Sequence, residues 1–291
     1  MFVLATAGGL AYDRNALAKS SAGDGIPAAE PAIPSLTPRR IVSLNVCTDQ
    51  MLMQMVERDR IRAISYLATN PRYSAMVEQA RSLPMTEGLA EEVIAMRPDL
   101  VLAGTFSARE TVALLQRLGY NVVEFEPEGD FPSIIANLRK MAQAVGEPER
   151  GEAMVRQIEQ ALAAVPQYGD YPAGQPVYAN YDANGFTSGD GALVAAVANA
   201  AGFETLGQRL GLGGTRQVSL EQMLVSRPDV IDLASDYPAP ALATEMFRHP
   251  VLQKLVREQR TIAIPARYTG CGNMLTLRAL EAFVAARQEF D

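Results

Sequence analysis

The sequence predicts an α/β protein of two similar lobes, each built on a parallel sheet, joined through a helix. Three observations carry this reading. Aliphatic runs of strand length alternate with amphipathic stretches of helix length, the pattern of parallel strands with crossover helices. Residues 89–103, LAEEVIAMRPDLVLA, are matched by residues 219–233, SLEQMLVSRPDVIDL. The constant offset of 130 aligns Glu91 with Glu221, Arg97 with Arg227 and Pro98-Asp99 with Pro228-Asp229. Between the two copies, YGDYPAGQP at 168–176 is dense in turn residues and marks a boundary.

The chain opens on an apolar run of small residues at 1–11, far shorter than the ~18–20 residues of a membrane span. It has the length of a secretory hydrophobic region, but no basic residue precedes it, so a signal remnant and a disordered tail both stand. Residues 12–38 are rich in Ala, Ser, Gly and Pro without periodicity and read as a flexible lead-in. They contain no Cys, so an N-terminal lipid-modified cysteine is not expected. From Arg40 the texture changes. Residues 40–45 read as a buried strand, 49–56 as a helix and 61–66 as a second strand. Each repeat copy is a short amphipathic helix, at 89–97 and 219–227, feeding an aliphatic strand, at 98–104 and 229–235. Proline cannot continue the helix, and the Asp after it opens the turn into the strand. A helix up to Gly119 and a strand at 121–126 complete the first half. Helices follow at 131–145 and 149–165, the latter with Met154, Val155, Ile158, Leu162 and Val165 at helical spacing. The second half adds strands at 176–182 and 261–266 and helices at 191–201, 251–259 and 273–289, with the Gly-rich 207–214 as a mobile loop.

Composition narrows the function. The chain has 291 residues, 48% of them hydrophobic, with 26 basic against 33 acidic, a net charge of −7. The apolar fraction argues against wholesale disorder, and the acidic balance against nucleic acid, whose phosphates need clustered Lys and Arg. One histidine, His249, and two cysteines, Cys47 and Cys271, provide no zinc-ribbon ligands, so neither a protein-held metal nor a cofactor is expected. A hydrolase would have to rest on His249 alone, and Pro250 beside it points instead to a turn or a helix start. There is no phosphate-binding G-x-x-x-x-G-K-[ST] and no G-x-S-x-G nucleophile turn. The chain reads as a poor enzyme and a good clamp, with strand-end loops of two lobes facing one cleft.

RIVSLNVCTDQMLMQMV at 40–56, IRAIS at 61–65 and LAEEVIAMRPDLVLAG at 89–104 resemble the first lobe of the periplasmic binding proteins for iron-siderophores and vitamin B12. The pattern there is a strand, a polar turn and a Leu-rich helix, then E-x-I-x-x-x-x-P-D-L-V. The second lobe is similar in VYANYDANGFTSGDGALVAAVANAAGF at 177–203, VSLEQMLVSRPDVI at 218–231 and TIAIPARY at 261–268. The resemblance implies two α/β lobes with parallel sheets joined by one long rigid helix, the architecture of a helical-backbone periplasmic binding protein. It divides the chain into a tail at 1–38, lobes at 39–146 and 169–291, and a connecting helix at 147–168. It implies a monomeric periplasmic solute-binding protein, not an enzyme, that captures a metal chelate such as a ferric siderophore or a cobalamin-like corrinoid for an ABC importer. A cysteine-dependent enzyme or redox protein on the same frame is the alternative.

The resemblance also assigns residues. The family docks on its permease through one surface glutamate per lobe, and Glu91 and Glu221 stand at those motif positions. Cleft-lining candidates in the first lobe are Asn45, Cys47, Thr48, Tyr66, Met85, Thr86, Thr105 and Phe106. In the second lobe they are Tyr181, Phe186, Arg267, Tyr268 and Cys271. Aromatics there would stack on a chelate, and Arg267 would neutralise an anionic side group. Two departures from the family count against particular ligands. Heme binders use a tyrosine just before the first repeat helix, where LPMTEG at 83–88 has none, and B12 binders favour tryptophan, which this chain lacks. The resemblance turns Cys47 and Cys271 to the cleft from opposite lobes. A disulfide, two ligand-facing thiols and unrelated burial are the three readings left open.

Overall fold

Two parallel sheets form from opposite halves of the chain in the computed structural model, which describes residues 37–166, 175–233 and 242–290. The strands are β1 (Ile41–Ser43), β2 (Ile61–Ser65), β3 (Met85–Thr86), β4 (Leu100–Gly104), β5 (Val122–Phe125), β6 (Val177–Tyr181), β7 (Phe186–Ser188), β8 (Glu204–Thr205), β9 (Thr215–Gln217), β10 (Val230–Leu233) and β11 (Arg260–Thr261). The first sheet runs β3-β2-β1-β4-β5 and the second β11-β10-β6-β8, while β7 and β9 pair as a small antiparallel ribbon. The helices are α1 (Val46–Met55), α2 (Val77–Ala80), α3 (Ala90–Ala95), α4 (Arg109–Arg117), α5 (Phe131–Val145), α6 (Pro148–Ala163), α7 (Leu193–Ala200), α8 (Leu206–Arg209), α9 (Leu220–Ser226), α10 (Pro250–Glu258) and α11 (Thr276–Gln288). Among the described residues no helix is long and apolar enough to cross a membrane. The expected lead-in up to residue 36, most of the 168–176 boundary and the last two residues of the 229–235 strand lie outside the described residues.

The two sheets share a topology. In each, the first strand (β1, β6) takes its successor (β2, β8) on one side and the repeat strand (β4, β10) on the other, followed by β5 or β11. The 130-residue repeat is therefore a repeat of position. Its Arg-Pro-Asp junction also folds alike in both copies. Arg97 and Arg227 take positive φ of 48° and 42°, which ends the helix sharply. The Asp that follows grips the start of the first strand. Asp99 accepts the backbone N–H groups of Arg39 and Arg40, and Asp229 accepts that of Val177 at 2.8 Å.

Both faces of each sheet are buried, as parallel sheets with crossover helices require. Alternate residues sort into different cores. Ile41, Leu100 and Leu102 join Tyr178 and Val230 in one cluster, with side chains of α1, α5, α6, α7 and α11. Val42, Val101 and Ala103 pack against α3 and α4 on the outer face of the first sheet. Val177, Ala179 and Ile231 pack against α9 and α10 on the outer face of the second. One core thus runs continuously between the two sheets.

The chain crosses from one sheet to the other through α5 and α6. Asp130 caps α5 with its carboxylate on Ser133 N–H, and Gly146 closes it in the left-handed region. The later helix, 16 residues long, lies along α5, where Gly151 meets Ala142 so closely that a Cβ would fall 2.3 Å from the alanine's.

Some elements differ from expectation. The strand expected at 261–266 pairs only at Arg260–Thr261, because Ile264 N–H turns to the Asp232 carboxylate and Pro265 has no N–H to give. The expected loop at 207–214 begins inside α8, which a Thr205–Gln208 capping box starts. Gly207 is required there, since a Cβ would sit 2.3 Å from the Ser188 carbonyl oxygen. The short α2, β3, β7, β8 and β9 had no periodicity long enough to register.

Candidate ligand-binding site

Sheets of this topology bind ligands where the strand order reverses, beyond the strand C-termini. In the first sheet that point lies between β1 and β4. Asn45, following β1, accepts Cys47 N–H to cap α1 and donates through Nδ2 to Ser107 Oγ beyond β4 at 2.6 Å. The two loops are thereby fastened across the switch. Thr105 donates to Glu126 at 3.0 Å, and Phe106 projects from the same loop with 75% of its surface exposed. Tyr66 after β2 and Met85 in β3 are also exposed, giving this edge an apolar rim. Asp49 lies below it, fully buried, accepting Ser65 N–H at 3.2 Å and Ser65 O–H at 2.6 Å. Burial pushes its carboxyl up to about 7, the hydrogen bonds from Ser43 and Ser65 notwithstanding.

In the second sheet the switch lies between β6 and β10, and a cavity of about 310 Å³ opens there. Asn180, Asp182, Ser188 and Asp232 line it from the strand ends, with Thr269-Gly270 beyond the last strand. The first lobe contributes Arg72 and Glu128. Asp232 accepts the Tyr178 O–H at 2.9 Å; burial, then the charge of Asp232, drives that phenol's pKa well up. Glu128 accepts Asn137 Nδ2–H at 2.5 Å and Gly272 N–H at 3.1 Å, and burial raises its carboxyl.

Beside Glu128 the two lobes are joined covalently. Cys47 and Cys271 form a disulfide with Cα atoms 5.0 Å apart, across 224 positions of sequence. Of the three readings of the cysteines, this leaves no thiol for a ligand and none for a cysteine-dependent enzyme.

The other sequence-derived candidates separate into groups. Tyr66, Met85, Phe106 and Phe186 are exposed at or near strand ends. Arg267 and Tyr268 are half-buried in the turn after the last strand, with the guanidinium over the ring at 5.0 Å. Tyr181 is buried, lines the cavity and donates its hydroxyl to Val218 O. Two candidates turn inward. Thr48 is buried with its hydroxyl between Ser43 Oγ and Asn45 O, and Thr86 is buried donating to Glu92 at 2.6 Å. Each satisfies a turn next to its helix, the usual use of a threonine hydroxyl there. His249 caps α10, its Nδ1 accepting Val251 N–H. Among the described residues no cluster of three His, Cys, Asp or Glu could hold a metal ion. Sequence reasoning missed Arg72, Glu128, Asp182 and Asp232. The strand-end rule would have found Glu128 after β5 and Asp182 after β6, whereas nothing local marks Arg72.

Glu91 and Glu221 are both exposed in the first turns of α3 and α9. Each helix runs antiparallel to the strand it feeds, so its N-terminus lies at the strand C-terminal end of its sheet, the end on which the cavity opens. The Glu221 carboxyl is held below the usual range by its own backbone N–H and the Ser219 hydroxyl.

Two parallel-sheet lobes with a polar cavity at their junction define a two-lobe ligand-binding protein. A family model described as periplasmic binding protein matches residues 41–269, and the chain belongs to that family. A cobalamin-binding protein of Halobacterium salinarum is 24% identical over 197 residues, 67% of this chain and 53% of that protein. The chain thus spans about half the length of the curated relatives it matches. The periplasmic heme-binding protein RhuT of Roseiflexus sp. RS-1 in apo form superposes with a TM-score of 0.68 at 21% identity, over 87% of this chain and 97% of that one. The periplasmic vitamin B12 binding protein BtuF of Vibrio cholerae gives 0.66 at 20% identity, over 87% and 98%. At these identities the likeness is one of fold.

Proposed function

We propose that this chain is the periplasmic, non-enzymatic binding component of an ABC importer and captures a metal chelate, a ferric siderophore or a corrinoid, between its two lobes. The observation that carries the reading is the pairing of an apolar rim on one lobe with a polar cavity on the other. Met85 in β3, Tyr66 just after β2 and Phe106 in the loop after β4 lie across three inter-strand spacings, about 14 Å at ~4.8 Å each. That is the breadth of a large planar chelate. The cavity of about 310 Å³ is too small for such a ligand whole and would take one edge or side group of it. Phe186 and Arg267 would bear on the same ligand from the second lobe. The lobes are taken as 39–146 and 169–291, the connection as 147–168, and the working unit as a monomer.

Glu91 and Glu221 would each meet an arginine of the permease. Exposed ion pairs of this kind act more on encounter rate and register than on affinity. A thermal-shift screen of the purified chain against cyanocobalamin, hemin and ferric siderophores tests the ligand class. Stabilisation that grows with concentration is expected for at least one chelate, and none with any of them would refute it. Glu91→Lys with Glu221→Lys is expected to abolish uptake and leave ligand affinity intact. Lost binding in the purified double variant would refute the docking role.

A further inference from the structure

The disulfide does not stand alone. Gly272, next to Cys271, donates its N–H to Glu128 at 3.1 Å, and Gln54 of α1 donates to Asn273 Oδ1 at 3.3 Å. Three consecutive residues of the second lobe, Cys271, Gly272 and Asn273, are therefore each fastened to the first: to the start of α1, to the loop after β5 and to the last turn of α1. The backbones touch as well. A Cβ on Gly272 would lie 2.5 Å from both Glu128 Cβ and Ile134 Cγ1, and one on Gly129 would lie 2.7 Å from the Gly191 carbonyl oxygen. Thr269 and Gly270, immediately before the disulfide, line the cavity, as does Glu128 itself. The fastened segment is thus part of the cavity wall.

We infer that Cys47–Cys271, Glu128–Gly272 and Gln54–Asn273 form a clasp that holds the two lobes in their binding geometry before ligand arrives. The inference rests on the proposed cleft function and adds how that cleft is controlled. Without the clasp, the only covalent path between the sheets runs through α5 and α6, and the lobes can rotate about that connection. A second covalent attachment confines them to motion about the line through both, and the two hydrogen bonds and close glycine contacts oppose even that. Rigidity held in advance lowers the ordering cost of binding. A chain that populates its binding-competent arrangement only fractionally binds more weakly by that fraction.

The test compares wild type with the Cys47→Ser/Cys271→Ser variant. Hydrogen exchange of the ligand-free proteins is expected to speed up more at 45–50, 126–130 and 269–275 than in the outer helices α4 and α10, which report the global loss of stability alone. With cyanocobalamin as probe, Kd is expected to rise about 3- to 10-fold, corresponding to a competent fraction of roughly a third to a tenth. Folded double variant with wild-type exchange in those segments, or with unchanged Kd, would overturn the clasp. If the double variant does not fold, Gln54→Ala with Glu128→Ala keeps the disulfide and removes the flanking bonds. The same segments must then exchange faster, and wild-type exchange would again overturn it. A wild type that ignores cyanocobalamin refutes that ligand and leaves the clasp to be decided by exchange alone.

Discussion

Asp49 gives the sharpest test of how burial acts in this protein. Its carboxyl is wholly enclosed at the start of α1, with both oxygens on Ser65, and its pKa moves from 3.8 to about 7. Below pH 3.8 the folded and unfolded chains both hold this proton. Between there and about pH 7 only the folded chain holds it, so stability falls as pH rises, by about 1.4 kcal/mol per pH unit. Above about pH 7 both forms are charged and the loss, about 4 kcal/mol in total, is complete. Asp49→Asn keeps the shape and a carbonyl acceptor for Ser65 N–H but cannot titrate. Urea unfolding of both proteins from pH 4 to pH 8 isolates this group, because every other titration cancels in the difference. The variant is expected to gain on wild type by about 4 kcal/mol across that range, with the gain levelling off above about pH 7. A difference that stays flat with pH would refute the reasoning.

Three further outcomes follow from named contacts. Removing the disulfide with Cys47→Ser/Cys271→Ser opens a loop spanning 224 positions and is expected to cost about 5 kcal/mol, seen as a Tm lower by roughly 10–20 °C. Gly272→Ala would drive a methyl into Glu128 and Ile134, both set in the first lobe, and is expected to destabilise by about 1–3 kcal/mol in denaturant unfolding. Tyr66→Ala and Phe106→Ala remove exposed rings, so unfolding should change by less than about 0.5 kcal/mol, while affinity for the stabilising chelate in an equilibrium titration falls about tenfold or more.

Much of the frame was legible because it is written in local periodicity. The repeat at 89–103 and 219–233 marked β4 and β10, which hold equivalent places in the two sheets, and its Arg-Pro-Asp junction marked the turns that tie each sheet's first strand. The long helices α5 and α6 were plain for the same reason. What escaped was short or set by distant partners. Strands of two residues such as β3 and β8 carry no period, and they exist because a neighbouring strand offers hydrogen bonds. Thr48 and Thr86 read as polar loop residues at strand ends, yet both hydroxyls are used up in the turns that start their own helices. Asp232 lies within the aliphatic repeat strand and lines the cavity as the acceptor of Tyr178 and Ile264, partners 54 and 32 positions away.

The sequence by itself determined the class: two lobes of parallel sheet and the family whose model matches residues 41–269. Those properties follow from side-chain patterns a few residues long. Only the tertiary structure decided how the halves meet. Arg72 and Glu128 reach a cavity belonging to the other lobe, one apolar core runs between both sheets, and Cys47 finds Cys271 across the junction. Contacts between residues 224 positions apart leave no trace in local spacing. They depend on the angle at which two finished lobes pack, and that angle is set by side chains from both.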